Sequence, residues 1–213
     1  MVQFGRPGAM HPVTEASLRA ALFSPGDYEL SQVAAYGDVD SDWADPASFE
    51  SEPRMQPCEG WRWHNAGRVV QGTGWGGNIE VLAWLLMAGR AIPSAEDCRG
   101  GVLFLETSEE LPAAAEVYRI LRSLGERGLL GVFPAVLFGR PKAWSLDRRT
   151  GPAEKAAYLR DQQEAVLRAL HEYAPDAVAV LDVDFGHTDP QLVIPYGGQI
   201  RVDGPARRIT VRY

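Results

Sequence analysis

The sequence predicts an α/β fold, with a mixed, partly antiparallel sheet and flanking helices, and three observations carry that expectation. Apolar runs of strand length recur at GVLFLET (101–107), VFPAVLFG (132–139) and AVAVLDVDFG (177–186). Between them lie two segments of helical period, with Val117, Ile120, Leu121 and Leu124 on one face of the first and Leu159, Val166, Leu167 and Leu170 on one face of the second. The C-terminal QIRVDGPARRITVRY instead alternates apolar and polar residues around a turn containing Gly204 and Pro205, which predicts a hairpin. Continuous apolar runs suit strands buried on both faces, whereas alternation suits strands with one wet face, so the two patterns together predict a mixed sheet.

Three segments follow one another along the chain. Residues 1–25 offer one short helix, from about Thr14 to Phe23, with no strands around it to pack on. Residues 26–66 hold Asp, Ser, Pro, Gly and aromatics without a sustained period of 2 or 3.6, and are expected to form a long linker or lid loop. Regular structure is expected over 67–213. It begins with IEVLAWLLMAG (79–89), which is too short for the roughly 20 residues of a bilayer span and is expected to be a buried core helix. Ahead of it, Gly76 and Gly77 could cradle an anion with backbone amides, or form a tight turn with Asn78 capping the helix. The GERG segment (125–128) and Pro175 mark the two later helix stops.

Composition narrows the function classes. The 213 residues are 46% hydrophobic and 23% charged, enough for one compact domain. A net charge of -7 argues against a nucleic-acid partner, because such affinity comes from clustered Lys and Arg; small molecules or peptides fit better. The N-terminal MVQFGRPGAM lacks the basic and then apolar pattern of a secretory signal, so no membrane association and a cytoplasmic location are expected. Cys58 and Cys98 have no metal-ligand or disulfide-framework spacing and are expected to be free thiols.

Two residues stand where α/β folds present reactive groups. Glu106 closes the GVLFLE run, and His187 follows AVAVLDVDFG. Taken singly, the first reads equally as a loop anchor and the second as a hydrogen-bonded structural His. As a pair they have the makings of a hydrolase: a carboxylate that fixes the tautomer of an imidazole, which takes a nucleophile's proton and is stabilised as a cation. No Gly-flanked serine elbow accompanies them, and Ser108 is too near Glu106 in sequence to be one. An Asp184–His187–Glu106 metal site is a weaker alternative, since Asp-x-x-His on an irregular loop is a poor signature.

Four ordered blocks, GWRWHNAGRVVQGTGWGGNIEVLAWLLMAG (60–89), VLFLETSEE (102–110), VLFGRPKAW (136–144) and DVDFGHTDPQLVIPYGGQIRVD (182–203), resemble the LD-carboxypeptidase and microcin-C immunity peptidase family. FGHTDP and GRPKAW place the resemblance nearer the microcin-C immunity branch. It implies a barrel-like C-terminal domain over 67–213 that supplies Glu106 as the triad carboxylate and His187 as the base. The serine of that triad sits on an N-terminal flavodoxin-like domain, of which residues 1–25 resemble the closing segment, so the nucleophile is expected upstream of Met1. Losing a triad nucleophile costs on the order of a millionfold in turnover, and the chain alone is not expected to act as a peptidase.

The resemblance further implies amide hydrolysis at the C-terminal residue of a murein peptide or a peptidyl-nucleotide, no cofactor and a homodimer, and the weak ligand spacing gives no expectation of a metal. Trp43, in DSDWADP, lies in a loop that the resemblance puts near substrate; its ring could stack on a nucleobase or simply pack the linker down. Arg140, in FGRP, could hold a substrate carboxylate or form a structural ion pair. The rival to a hydrolase is a non-catalytic domain that binds a ligand or dimerises.

Overall fold

The computed structural model describes residues 10–42, 44–50 and 53–213. Ten strands and five helices are assigned: α1 (Pro12–Phe23), β1 (Asp27–Glu29), β2 (Ala35–Tyr36), β3 (Gln56–Pro57), β4 (Arg62–His64), β5 (Val69–Asn78), α2 (Ile79–Ala88), α3 (Ala95–Cys98), β6 (Val102–Glu106), α4 (Ala114–Glu126), β7 (Ala135–Gly139), α5 (Pro152–Tyr173), β8 (Val178–Val183), β9 (Gln199–Asp203) and β10 (Arg208–Arg212).

Eight of the strands form one mixed sheet in the order β1-β10-β9-β5-β6-β7-β8-β4, with β1 and β4 as its two ends; β2 and β3 pair separately. The centre is parallel: the second half of β5 pairs with β6, β6 with β7 and β7 with β8. The β9–β10 hairpin, the first half of β5 and the outer strands β1 and β4 are antiparallel. The mixed α/β architecture expected from the two hydropathy patterns is therefore present.

Every residue of β6, β7 and β8 is buried, so alternate side chains serve two cores. Leu103, Leu105, Val136, Phe138, Ala179 and Leu181 face the layer formed by α2, α4 and α5. Val102, Phe104, Ala135, Leu137, Val178 and Val180 face a second cluster with Ile200, Val202, Ile209 and Val211 of the hairpin. The predicted apolar stripe of α4 lies wholly in the first core. In α5, Val166 and Leu170 are buried while Leu159 and Leu167 are partly so. Each fully buried side chain of this size stabilises the fold by about 1.5–3 kcal/mol relative to exposure.

Several expectations change. The segment 79–89 is a helix but not a buried one: Ile79, Leu82 and Leu86 face the core, while Val81, Trp84 and Met87 are exposed. A groove of about 620 Å³ runs between this helix and α4, floored by Ala83, Leu86 and Ile120. Gly76 and Gly77 form neither an anion cradle nor a tight turn, because both lie within β5, opposite Phe104 and Leu105. Gly76 is required there: its φ is +144°, and a Cβ would stand 1.8 Å from the Phe104 carbonyl oxygen.

The segment expected as a linker or lid supplies strands to both ends of the sheet, β1 against β10 and β4 against β8. Leu30, Val33, Tyr36 and Trp61 of this segment are buried, and Asp38 and Asp40 form ion pairs with Lys155 and Lys142. Helix α1 is packed as well, but by hydroxyls. Its buried residues are Thr14, Ser17 and Ala20. Thr14 Oγ1 accepts from the Gln191 amide at 3.0 Å, and Ser17 Oγ from the Val193 amide at 2.9 Å. Cys58 and Cys98 are free thiols. Among the described residues, no helix is long and apolar enough to cross a membrane.

Candidate functional site

The carboxyl ends of β5, β6, β7 and β8 lie side by side, and the site is assembled there, as is usual where parallel strands deliver side chains into the loops beyond a sheet. Asn78 ends β5 and is in register with Glu106 at the end of β6. Arg140 follows β7, and His187 follows β8 after the turn Asp184–Gly186.

Glu106 and His187, 81 residues apart in sequence, meet here: His187 Nδ1 stands 2.6 Å from Glu106 Oε2. Glu106 is buried, and its other oxygen accepts from Asn78 Nδ2 at 3.0 Å. Asn78 Oδ1 at the same time accepts from the Val81 amide at 2.9 Å and caps α2, so one side chain starts the helix and aims the carboxylate. Gly186 makes room for the pair. Its φ is +102°, and a Cβ would meet Glu106 Oε2 at 2.8 Å and Glu106 Cβ at 2.9 Å.

The far side of the imidazole is also occupied. His187 Nε2 faces Glu109 Oε2 at 2.8 Å, and the Glu109 side chain is 58% exposed. The hydrogen bond to Glu106 pushes the His187 pKa above its ordinary value, with further pull from the charges of Glu106 and Glu109; burial and Lys142 act in the opposite direction. The loop bearing Glu109 is anchored on both sides. Glu80 Oε1 accepts from the Ser108 amide at 3.0 Å and from Ser108 Oγ at 2.6 Å, while the Pro112 carbonyl accepts from Tyr158 and Gln162. Ser108 is thus a loop anchor. Among the described residues, no hydroxyl or thiol is hydrogen-bonded to His187.

Arg140 is buried and its partners lie inside the protein, although its Nε has none among the described residues. Its Nη2 donates to Asp184 Oδ1 at 3.1 Å and to the Asp182 carbonyl at 3.0 Å, and its guanidinium lies 4.6 Å from the centre of the Tyr36 ring. Of its two sequence readings, the structural ion pair is the one with a geometric basis. Asp184 also accepts from Trp61 Nε1 at 2.8 Å, which spends that carboxylate away from Glu106 and His187 and leaves the Asp184–His187–Glu106 metal grouping without a geometric basis. Trp43 lies outside the described residues. Sequence reading missed Asn78 as a partner of Glu106, although its helix-capping role was a usable signal, and missed Glu109, which the sequence shows only as one of two acidic residues in TSEE.

Comparison with known proteins bears on the fold and the family. Residues 71–202 match the LD-carboxypeptidase C-terminal domain. A putative carboxypeptidase of Treponema pallidum (strain Nichols) is 28% identical over 174 residues, which cover 80% of this chain and 46% of that protein. An MccF-like protein from Streptococcus pneumoniae, solved with AMP, superposes with a TM-score of 0.77 at 19% identity, over 97% of this chain and 59% of its own. The microcin C7 self immunity protein MccF, solved with aspartyl sulfamoyl adenosine, gives 0.75 at 19% identity, over 99% and 58%. The chain spans about half the length of the curated relative and under two thirds of these two solved proteins. At such identities the structural likeness speaks for the fold alone, whereas the profile match covers most of the chain: the protein belongs to the family of the LD-carboxypeptidase C-terminal domain.

Proposed function

We propose that this chain supplies the carboxylate–imidazole half of a serine-type amide hydrolase acting at the C-terminal residue of peptides. The observation that carries the reading is the 2.6 Å contact of Glu106 with His187 Nδ1, made beyond the carboxyl ends of β6 and β8, two strands of the sheet's parallel centre with β7 between them. In this role Glu106 fixes the ring so that Nε2 points outward as the base. His187 accepts the proton of a serine hydroxyl through Nε2 as the oxygen attacks the scissile carbonyl. The resulting imidazolium, stabilised by Glu106, then gives that proton to the leaving amine. The serine and the amides that stabilise the oxyanion come, on this reading, from the part of the family's architecture that this chain does not span.

Murein peptides and peptidyl-nucleotides are the proposed substrates. The second class is supported by solved relatives in complex with AMP and with aspartyl sulfamoyl adenosine. We further propose a cytoplasmic homodimer that needs no cofactor. Trp43 remains a proposed substrate-stacking residue.

The test is to join the chain, fused or in trans, to a serine-bearing N-terminal domain of a relative and measure release of the C-terminal residue. General-base catalysis contributes about 10²–10⁴-fold, so His187→Ala should lose at least that factor while the bare chain shows no turnover. Full activity in His187→Ala, or turnover by the bare chain, would refute the proposal.

A further inference from the structure

The imidazole of His187 is held between two carboxylates of opposite use. Glu106 occupies Nδ1 from a buried position beneath the ring, and Glu109 occupies Nε2 from the solvent side, at 2.8 Å. Nε2 is the atom through which the proposed base has to meet a hydroxyl. Glu106 meets Nδ1 in a hydrogen bond and Glu109 meets Nε2 at ion-pair distance, so both carboxylates favour the cation of the ring. That cation is the state a base reaches after it has acted, and in it the ring cannot accept a further proton.

We propose that Glu109 is a built-in stopper that occupies the nucleophile's place on His187 and holds the site inactive until its side chain swings aside. The inference rests on the reading of His187 as the base. The placement of the loop suits the task. Ser108 is pinned to Glu80, and Leu111 is buried beside Ala143 and Tyr158, so the backbone on either side of Glu109 is fixed. The Glu109 side chain itself is more than half exposed, and leaving Nε2 returns its carboxylate to water rather than to a buried pocket. A change of side-chain rotamer is sufficient to open Nε2, with no movement of the sheet. The charged groups acting on the ring are Glu106 and Glu109, which favour its cation, and Lys142, which opposes it.

The experiment follows the His187 ring by nitrogen-edited NMR of the full chain, in the wild type and in Glu109→Ala, Glu109→Gln, Glu110→Ala and Glu106→Gln. At about pH 6, below the usual imidazole value, both ring protons of the wild type should be protected from exchange with water. Glu109→Ala should lose the protected Nε2 proton, keep the one on Nδ1, and move the titration midpoint downward. Glu109→Gln should lower the midpoint while keeping partial protection, since its amide oxygen still accepts. Glu110→Ala, which removes a neighbouring charge without touching the ring, should leave the Nε2 proton protected. If Glu109→Ala leaves both the protection and the midpoint as in the wild type while Glu106→Gln lowers the midpoint, the stopper is refuted and the Glu106–His187 reading stands. If Glu106→Gln also leaves the midpoint unmoved, the pairing on which the inference rests fails with it.

Discussion

Asp184→Ala should destabilise the fold by about 3–5 kcal/mol, the cost of leaving a buried charge without its partner. The figure follows from what the carboxylate holds. Asp184 is 1% exposed and accepts from Arg140 Nη2 at 3.1 Å, from Trp61 Nε1 at 2.8 Å and from the Val33 amide at 3.4 Å. Burial pushes its pKa up against the pull of Arg140, as expected for a desolvated pair. In its absence the guanidinium of Arg140, 5% exposed, keeps the Asp182 carbonyl, the face of Tyr36 and the pull of the Asp182 charge, but no carboxylate hydrogen bond. For a chain of this size each kcal/mol lowers Tm by about 2–4 °C, so a fall of roughly 6–20 °C is expected.

Because Val33 and Trp61 both bond to this one side chain, in addition to the strand and ion pairs that hold residues 26–66, tryptophan fluorescence should report local loosening around Trp61 in urea before the far-ultraviolet signal is lost. Replacing both charges, in Arg140→Met with Asp184→Leu, should cost less than the sum of the single changes, since no orphan charge remains. A loss below about 1 kcal/mol for Asp184→Ala, or strict additivity in the double variant, would show that the pair is solvated and that the account of Arg140 as an internal ion-pair partner is mistaken.

Three further outcomes are expected. Gly186→Ala places a Cβ 2.8 Å from Glu106 Oε2 at φ +102°, so it should cost about 1–3 kcal/mol in a urea melt and displace the His187 Nδ1 proton resonance; an unchanged resonance would mean the turn is not what seats the pair. The His187 pKa is raised in the folded protein, so its contribution to stability is fully present below the ordinary imidazole value of 6.5 and is lost as pH rises through the folded value. The stability gap between wild type and His187→Asn should therefore narrow as pH rises, and a gap that widens contradicts the pairing. Asn78→Ala should lose about 0.5–2 kcal/mol through the cap of α2, and Asn78→Ser should recover most of that while leaving Glu106 without its Nδ2 partner; equal stabilities of the two variants would speak against the cap.

Legibility in the sequence followed the presence of a period. Strands β6, β7 and β8 and helix α4 were readable because burial on both faces of a parallel sheet, or on one stripe of a helix, writes a repeating apolar pattern. Helix α1 was readable as a helix but not as a packed one, since the side chains it buries are Thr14, Ser17 and Ala20, and hydroxyl contacts leave no hydrophobic stripe. Strand β5 was hidden by its own glycines. Gly76 and Gly77 read as a tight turn, yet Gly72 and Gly76 are the positions at which the Gly100 and Phe104 carbonyls come too close for any Cβ. Residues 26–66 failed for a third reason: the three-residue strands β1 and β4 take their geometry from partners more than 100 positions away and have no local pattern to display.

The site divides along the same line. Glu106 and His187 could be named from the ends of apolar strands and from family resemblance, because the sheet carries a residue at a strand end to a place fixed by topology. Asn78 and Glu109 could not, since their orientation depends on the start of a helix and on a loop whose course is set by Ser108 and Glu80. One consequence is chemical. From sequence the three glutamates of ETSEE are interchangeable acids, but in the structure Glu106 meets Nδ1 and Glu109 meets Nε2, so on the proposed reading the first would sharpen His187 as a base and the second would stand where a serine proton arrives. Three residues of spacing separate the two, enough for the chain to leave the sheet at Glu106 and bring Glu109 to the other nitrogen, so the proposal gives the same carboxylate chemistry opposite effects on opposite nitrogens.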